Sequence, residues 1–316
     1  GIMKFFIKKL ITLIITLLLI SFLTFTAFSV IPGDAALSRL GKDASEQQVE
    51  ALREEMGLND SLPVRYVRWI GGAVTGDFGE SYRYEGISVS SLLSDRLPVT
   101  VLLSVIALVI ILVCSVPLGI ASARHAGEWG DVVTNQLTQI IMAIPPFFLG
   151  MILTYVFGLI LHLFQPGKFI QPSENLGEAV KYLFFPALAI ALPKIAMVVK
   201  FLRNSVISEM NKDYVRTAFS KGNTRTGVLY SHILKNALIP VITFFALVIA
   251  EILAGSIIVE QVFSVPGIGR LLISSISNRD YPVVQAIVLY ITAVVVIINF
   301  IVDVLYQFLD PRVKTS

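Results

Sequence analysis

Apolar residues run along this chain in six long blocks, residues 10–31, 99–123, 133–164, 183–202, 238–263 and 283–305, with polar connections between them. About 20 apolar residues of helix cross a bilayer core, so each block predicts a membrane span. The third block is overlong and carries Pro145 and Pro146, which remove backbone donors and predict a kink. The polar connection at 32–97 is patterned rather than featureless. Ser45 with Gln48 makes a capping-box signature before "EQQVEALREEMG", and Gly57 supplies a stop. Pro63 opens a second amphipathic stretch with Val64, Val67 and Ile70 at helical spacing. This region reads as a small folded cap on the membrane part, with a dedicated binding site as the alternative. No internal repeat or low-complexity tract interrupts the pattern.

Composition agrees with the blocks. Hydrophobic residues make up 55% of the 316 and charged residues 15%, and mean hydropathy is +0.78, a polytopic membrane composition. The net charge of +3 is too small to point to nucleic acid. One cysteine, Cys114, excludes an intrachain disulfide framework, and three histidines with no HExxH, GxSxG or GxxxxGK[ST] pattern leave no metal-ligand or catalytic set. Lys4, Lys8 and Lys9 precede the first span, whose length marks a retained anchor rather than a cleaved signal. Cations also follow the second span (Arg124, His125), crowd the interval from Lys194 to Lys235, and close the chain (Arg312, Lys314). With six spans all of these fall on one side, so the positive-inside rule predicts that both termini and the basic loop are cytoplasmic.

The basic loop, "DYVRTAFSKGNTRTGVLYSHILKNALIP" at 213–240, carries more pattern than that rule requires. Its periodicity predicts an amphipathic helix over 204–220, a break at Gly222, and a second helix from Thr224 through Pro240 into the fifth span. Ala218 and Gly222 stand four apart and predict a shallow groove on one helix face, rimmed by Arg216, Lys221 and Arg225. Such a helix suits docking into a cleft of a cytosolic partner.

Here the chain resembles the inner-membrane permeases of ATP-driven, binding-protein-dependent importers. The family's Glu-Ala-Ala, Gly and apolar-Pro pattern is met by Arg216-Thr217-Ala218, Gly222 and Ile239-Pro240. Arg216 in place of the acid, and the longer interval to Pro240, resemble the peptide/nickel branch, with its "YxRTAxxKG". "GDFGESY" at 76–82, "LPVT" at 97–100, "SVPLGI" at 115–120, "VFSVPGIGRLL" at 262–272, "NRDYPVVQ" at 278–285 and "LDPRV" at 309–313 extend the match over nearly the whole chain.

The resemblance implies an all-α, six-span type I ABC importer permease fold of the bacterial inner membrane, with a small helical extracytoplasmic insertion. Its parts would be an anchor and first span (3–31), the extracytoplasmic subdomain (32–97), a five-helix core (98–309) containing a coupling loop at 204–236, and a cytoplasmic tail (310–316). Tyr214, Arg216, Thr217, Ala218, Lys221, Gly222 and Arg225 would engage the ATPase. The implied partners are a second, similar permease, two cytoplasmic ATPase subunits and an external solute-binding protein. ATP and Mg would sit on the ATPase subunits; this chain would bind no cofactor and no metal, and would itself not be an enzyme. The cargo is either a nickel chelate or a short peptide.

Polar residues inside the spans add candidates. Glu251 lies about 13 residues into the fifth span, with Gly255 one turn on and Ala250 and Ala254 as a small pair beside it. Two readings are open for Glu251: it lines the path, or it is a structural acid paired with the neighbouring permease. An acid here, like "ARH" at 123–125, resembles the nickel-type members. Pro145 and Pro146 are further path candidates, and Pro266, Gly267, Gly269, Arg279 and Asp280 are candidates for an outer turn or gate. Cys114 and Met142 are expected in the core, His162 at an interface, and Asp303 in a structural hydrogen bond. The main rival function is an ion-coupled carrier or channel using Glu251. A membrane enzyme is disfavoured by the lack of any nucleophile–base pair.

Overall fold

The computed structural model describes residues 1–31 and 35–309, so the 310–316 tail lies outside the described residues. Those residues form thirteen α-helices and no named strand. In chain order these are α1 (Ile2–Ser29), α2 (Ala35–Leu40), α3 (Glu46–Glu55), α4 (Leu62–Val74), α5 (Val89–Arg124), α6 (Trp129–Ala143) and α7 (Pro146–Leu153). After α7 come α8 (Leu176–Met210), α9 (Asp213–Ser220), α10 (Arg225–Val228), α11 (Leu234–Val262), α12 (Ile268–Ser277) and α13 (Tyr281–Leu309). Among the described residues α1, α5, α8, the run from Arg225 to Val262 and α13 are each long and apolar enough to span a membrane.

The residues expected to form the third span make α6 and α7 with the π-helical turn Thr154–Ile160 that continues α7, a broken span or a re-entrant pair. The two halves meet at 102°, so the diproline breaks the rod rather than bending it. Pro145 caps the second half with an extended ψ of 142° and Pro146 occupies its first turn, where a missing N–H costs nothing. His162, just beyond the turn, is exposed at a φ of +54°.

The chain divides into two compact units. The first comprises Gly1–Pro98 with Pro266–Ile297. Here the predicted capping box is formed: Gln48 N–H donates to Ser45 Oγ at 3.2 Å, and Ser45 N–H returns a bond to Gln48 Oε1 at 3.1 Å. Gly57, at a φ of +72°, follows the end of α3. Helix α4 lies on α1 through aromatic rings. Tyr66 meets Phe22 edge-on at 5.2 Å, its hydroxyl is 2.6 Å from Ser21 Oγ, and Trp69 lies 5.4 Å from Phe25. The short helix α2 was not foreseen.

The second unit comprises Val99–Val265 and the chain from Ile298 onward, and it is built on α8. Two thirds of the most apolar stretch of α8 is buried, twice the share in α5. Leu183, Ile190, Val198 and Val199 pack with Leu103, Ile111, Val248 and Ile252 in one cluster. Leu202 and Val206 pack with Ile120, Val215, Ala218, Val228 and Ile233 in the other. Gly119 permits the close approach of α5 to α8, since a Cβ there would fall 2.9–3.1 Å from Leu202 side-chain atoms. Near the end of α11, the Tyr182 hydroxyl donates to the Phe263 carbonyl at 2.6 Å and accepts from Gly167 N–H at 3.0 Å.

Several expectations change. The helix expected over 204–220 is two helices: α8 continues to Met210, Asn211 caps it, and α9 begins afresh at Asp213. Lys194 is not a loop-flanking cation but sits at mid-helix in α8. Cys114 and Met142 are exposed rather than in the core. Hydropathy cannot separate a lipid-facing apolar helix side from a packed one.

Candidate functional site

The loop that carried most of the sequence signal forms an elbow of α9, α10 and the start of α11. Its inner side is apolar: Val215 and Ala218 of α9 are 4% and 5% exposed, in the cluster with Val228, Leu229 and Ile233. Ala218 therefore faces the chain's own core, and the groove expected at Ala218 and Gly222 is absent. Gly222 stands past the end of α9 at a φ of +83°, where a side chain would meet open space. Its requirement is conformational, a left-handed residue that ends the helix. Thr224 then caps α10, accepting from Gly227 N–H at 3.0 Å.

The outer side carries the charge. Arg216, Thr217, Phe219, Ser220 and Lys221 are exposed, and Phe219 keeps 47% of its surface open amid these polar groups. Tyr214 is turned back: its hydroxyl donates to Glu209 Oε2 at 2.6 Å, while Lys212 Nζ donates to Glu209 Oε1 at 2.6 Å. Arg225 is exposed, yet its guanidinium donates to the Arg124 carbonyl at 2.9 Å, and Arg124 donates to Thr226 Oγ1 at 3.3 Å. The elbow is thereby fastened to the end of α8 at Glu209 and to the end of α5 at Arg124.

A buried carboxylate that the sequence reading passed over ties the same ends together. Asp131, in the first turn of α6 and only 5% exposed, takes a bidentate grip from Arg203 of α8 through Nε at 2.7 Å and Nη2 at 2.8 Å. Ser122 Oγ of α5 and Gly127 N–H at 2.9 Å complete its shell. Three helices meet at one side chain. Nothing local advertises the pair, because its members are 72 residues apart.

Inside the spans, Glu251 has a partner on this same chain, Lys194 of α8. That pairing lies within one chain and leaves both earlier readings of Glu251, path-lining and contact with a neighbouring permease, open. Gly255 belongs to α11, with its surroundings outside the described residues. Glu260, not singled out in the sequence, is fully buried and accepts from Thr100 Oγ1 at 2.7 Å. Asp303 is exposed on α13.

Of the outer-turn candidates, Pro266 precedes Gly267, the N-cap of α12. Gly269 lies inside α12 and is buried, so it belongs to no turn. Arg279 is exposed at a φ of +55°. Asp280 is 1% exposed and holds the 76–88 loop, accepting from Ser81 Oγ and from Tyr82 N–H at 2.8 Å. Burial pushes the Tyr82 phenol above its ordinary pKa, against the pull of Arg65. Among the described residues no cluster of three or more metal-binding side chains occurs.

Comparison with known proteins gives the arrangement its context. The family described as "Binding-protein-dependent transport system inner membrane component" matches residues 115–315, and the N-terminal family of such membrane components matches residues 2–104. The oligopeptide transport system permease protein AppB of Bacillus subtilis is 37% identical over 300 residues, covering 94% of this chain and 95% of its own. The probable peptide ABC transporter permease protein y4tP of Sinorhizobium fredii is 33% identical over 310 residues, covering 98% and 99%. A putative peptide permease protein of Brucella ovis is 34% identical over 304 residues, covering 95% of each chain. With a helical architecture, five to six apolar spans and end-to-end likeness to these proteins, the chain belongs to the inner-membrane permease components of binding-protein-dependent ABC importers.

Proposed function

We propose that this permease forms half of a path for short peptides, paired with a second, similar permease. Two cytoplasmic ATPase subunits drive it, an extracytoplasmic binding protein delivers the cargo, and both termini lie in the cytoplasm. The observation that carries this reading is the two-sided build of α9. Its inner face is packed into the ends of the spans, and its outer face presents Arg216, Thr217, Phe219, Ser220 and Lys221. An exposed aromatic ringed by polar groups is the composition of an interface anchor. The fastenings at Glu209 and Arg124 would pass displacement of α9 to α8 and α5, so that ATP binding shifts a two-state equilibrium through contacts that differ between the states.

The names of the relatives support peptide over nickel chelate as cargo. The pairing of Glu251 with Lys194 gives no support to the ion-coupled carrier, which needs a carboxylate free to take a coupling ion. The test is reconstitution of the complete complex in liposomes. Peptide-loaded binding protein should stimulate ATP hydrolysis and uptake, and a cysteine at Thr217 or Lys221 should cross-link to the ATPase. Uptake that follows a cation gradient without ATP would overturn the reading, and stimulation by a nickel chelate but by no peptide would replace the cargo.

A further inference from the structure

The ion pair between Lys194 and Glu251 has a setting that neither packing nor coupling explains. Glu251 lies roughly three helical turns from the Val262 end of α11, deep in an apolar rod. An acid at such depth faces protein or water rather than lipid. Its side chain nevertheless keeps 34% of its surface open on this chain. The exposed positions of α11 show where it looks: Thr243, Leu247, Ala254 and Ile258 recur at helical spacing and place Glu251 on one open stripe. Lys194, 16% exposed, reaches that stripe from α8 beside the buried Pro193.

The pair is internally neutral and so requires no third ion. It is not saturated. Glu251 Oε2 takes the lysine, and Oε1 has no hydrogen bond within the described residues. Lys194 Nζ has three protons, one directed at Glu251 and one toward the Met197 sulfur at a weak 3.9 Å. One acceptor and at least one donor therefore remain, side by side and opposite in charge, at a depth where such groups are met by protein, water or a polar solute.

We infer that Lys194 and Glu251 form a subsite for the charged ends of a zwitterionic peptide: the ammonium of Lys194 receives the terminal carboxylate, and Glu251 receives the terminal amine. This inference rests on the peptide reading above. Without cargo the pair closes on itself, and with cargo each charge meets a new opposite, so no unpaired charge stands in the membrane in either state. Recognition of the termini alone also leaves the peptide's side chains unread at this point in the path.

The experiment is equilibrium binding of a labelled, neutral-side-chain dipeptide to the purified permease–ATPase complex without binding protein, competed by three unlabelled forms. The free dipeptide should compete at least 10-fold better than its C-terminal amide or its N-acetyl derivative. Lys194→Met should abolish the penalty for the amide but keep that for the acetyl form. Glu251→Gln, which retains shape and a hydrogen bond, should do the reverse. Lys194→Arg and Glu251→Asp should keep the wild-type order, which separates loss of charge from loss of fold. The inference is overturned by no saturable binding, by equal competition from all three forms, or by an unchanged order in the Met and Gln variants. Uptake by the full system from peptide-loaded binding protein is measured in parallel. Normal peptide uptake beside any of those results sinks the subsite alone, whereas uptake of a nickel chelate and no peptide sinks the cargo reading first.

Discussion

The carboxylate of Asp131 allows a prediction whose size follows from its surroundings. It accepts both forks of Arg203, the Ser122 hydroxyl and the Gly127 amide while 5% exposed. Removing one member of a buried pair typically costs about 3–5 kcal/mol, chiefly from stranding the other charge. Arg203 retains 27% exposure and a longer bond to Asn204 Oδ1 at 3.3 Å, so it can recover some solvation and the loss belongs near the lower bound. Asp131→Asn should thus cost about 3 kcal/mol. Its amide must point N–H groups at donors on one side, and it loses the favourable charge at the start of α6. Reversible unfolding in mixed micelles of Asp131→Asn, Arg203→Gln and the double variant would give the coupling energy. The geometry requires about 2 kcal/mol, with the double variant little worse than either single. A coupling below about 0.5 kcal/mol would mean that the bidentate contact is incidental, and the strut between α6 and α8 would have to be abandoned.

Three further outcomes follow from positions already described. Gly222→Asn should be tolerated, whereas Gly222→Val should cost about 1–2 kcal/mol of backbone strain and impair ATP-coupled uptake; equal behaviour of the two would refute the left-handed requirement. Asp280→Ala should loosen the 76–88 loop by about 2–3 kcal/mol, read as faster amide exchange at Tyr82, and unchanged exchange there would show that the carboxylate is not the anchor. Cys114, exposed about 15 Å along α5 from Arg124, should react with a membrane-soluble maleimide but resist a charged, impermeant one, and rapid labelling by the charged reagent would remove that face from the lipid.

Much of this molecule could be read in the chain because its strongest signals are local. The capping box at Ser45, the stop at Gly57, the diproline break and the fresh start at Thr224 each depend on a few adjacent residues. The spans follow from block hydropathy. Helix rotation and long-range pairing do not. Ala218 appeared to be an outward small residue because eight residues of amphipathic helix do not state which partner takes the apolar side. Lys194 was counted among flanking cations because hydropathy treats a lysine as a boundary, and its carboxylate lies 57 residues away. Asp280 read as part of an outer turn or gate, and its hold on the 76–88 loop was not legible because Ser81 comes to it across 199 positions. In each case the missing quantity was a contact, not a propensity.

The run from Arg225 to Val262 is the longest of the apolar helical runs among the described residues. Thirty-eight residues of uninterrupted helix make a connecting rod about 55 Å long, turned once through a wider coil at Leu229–Ile233 and notched by Pro240. Both soft points lie in its first half. Beyond Val241 the shaft has no proline, and Val248, Ile252 and Val259 seat it in the cluster built on α8. At Phe263 the Tyr182 hydroxyl holds the carbonyl, so the far end of the rod is tied to α8, the helix whose other end carries the Glu209 fastening.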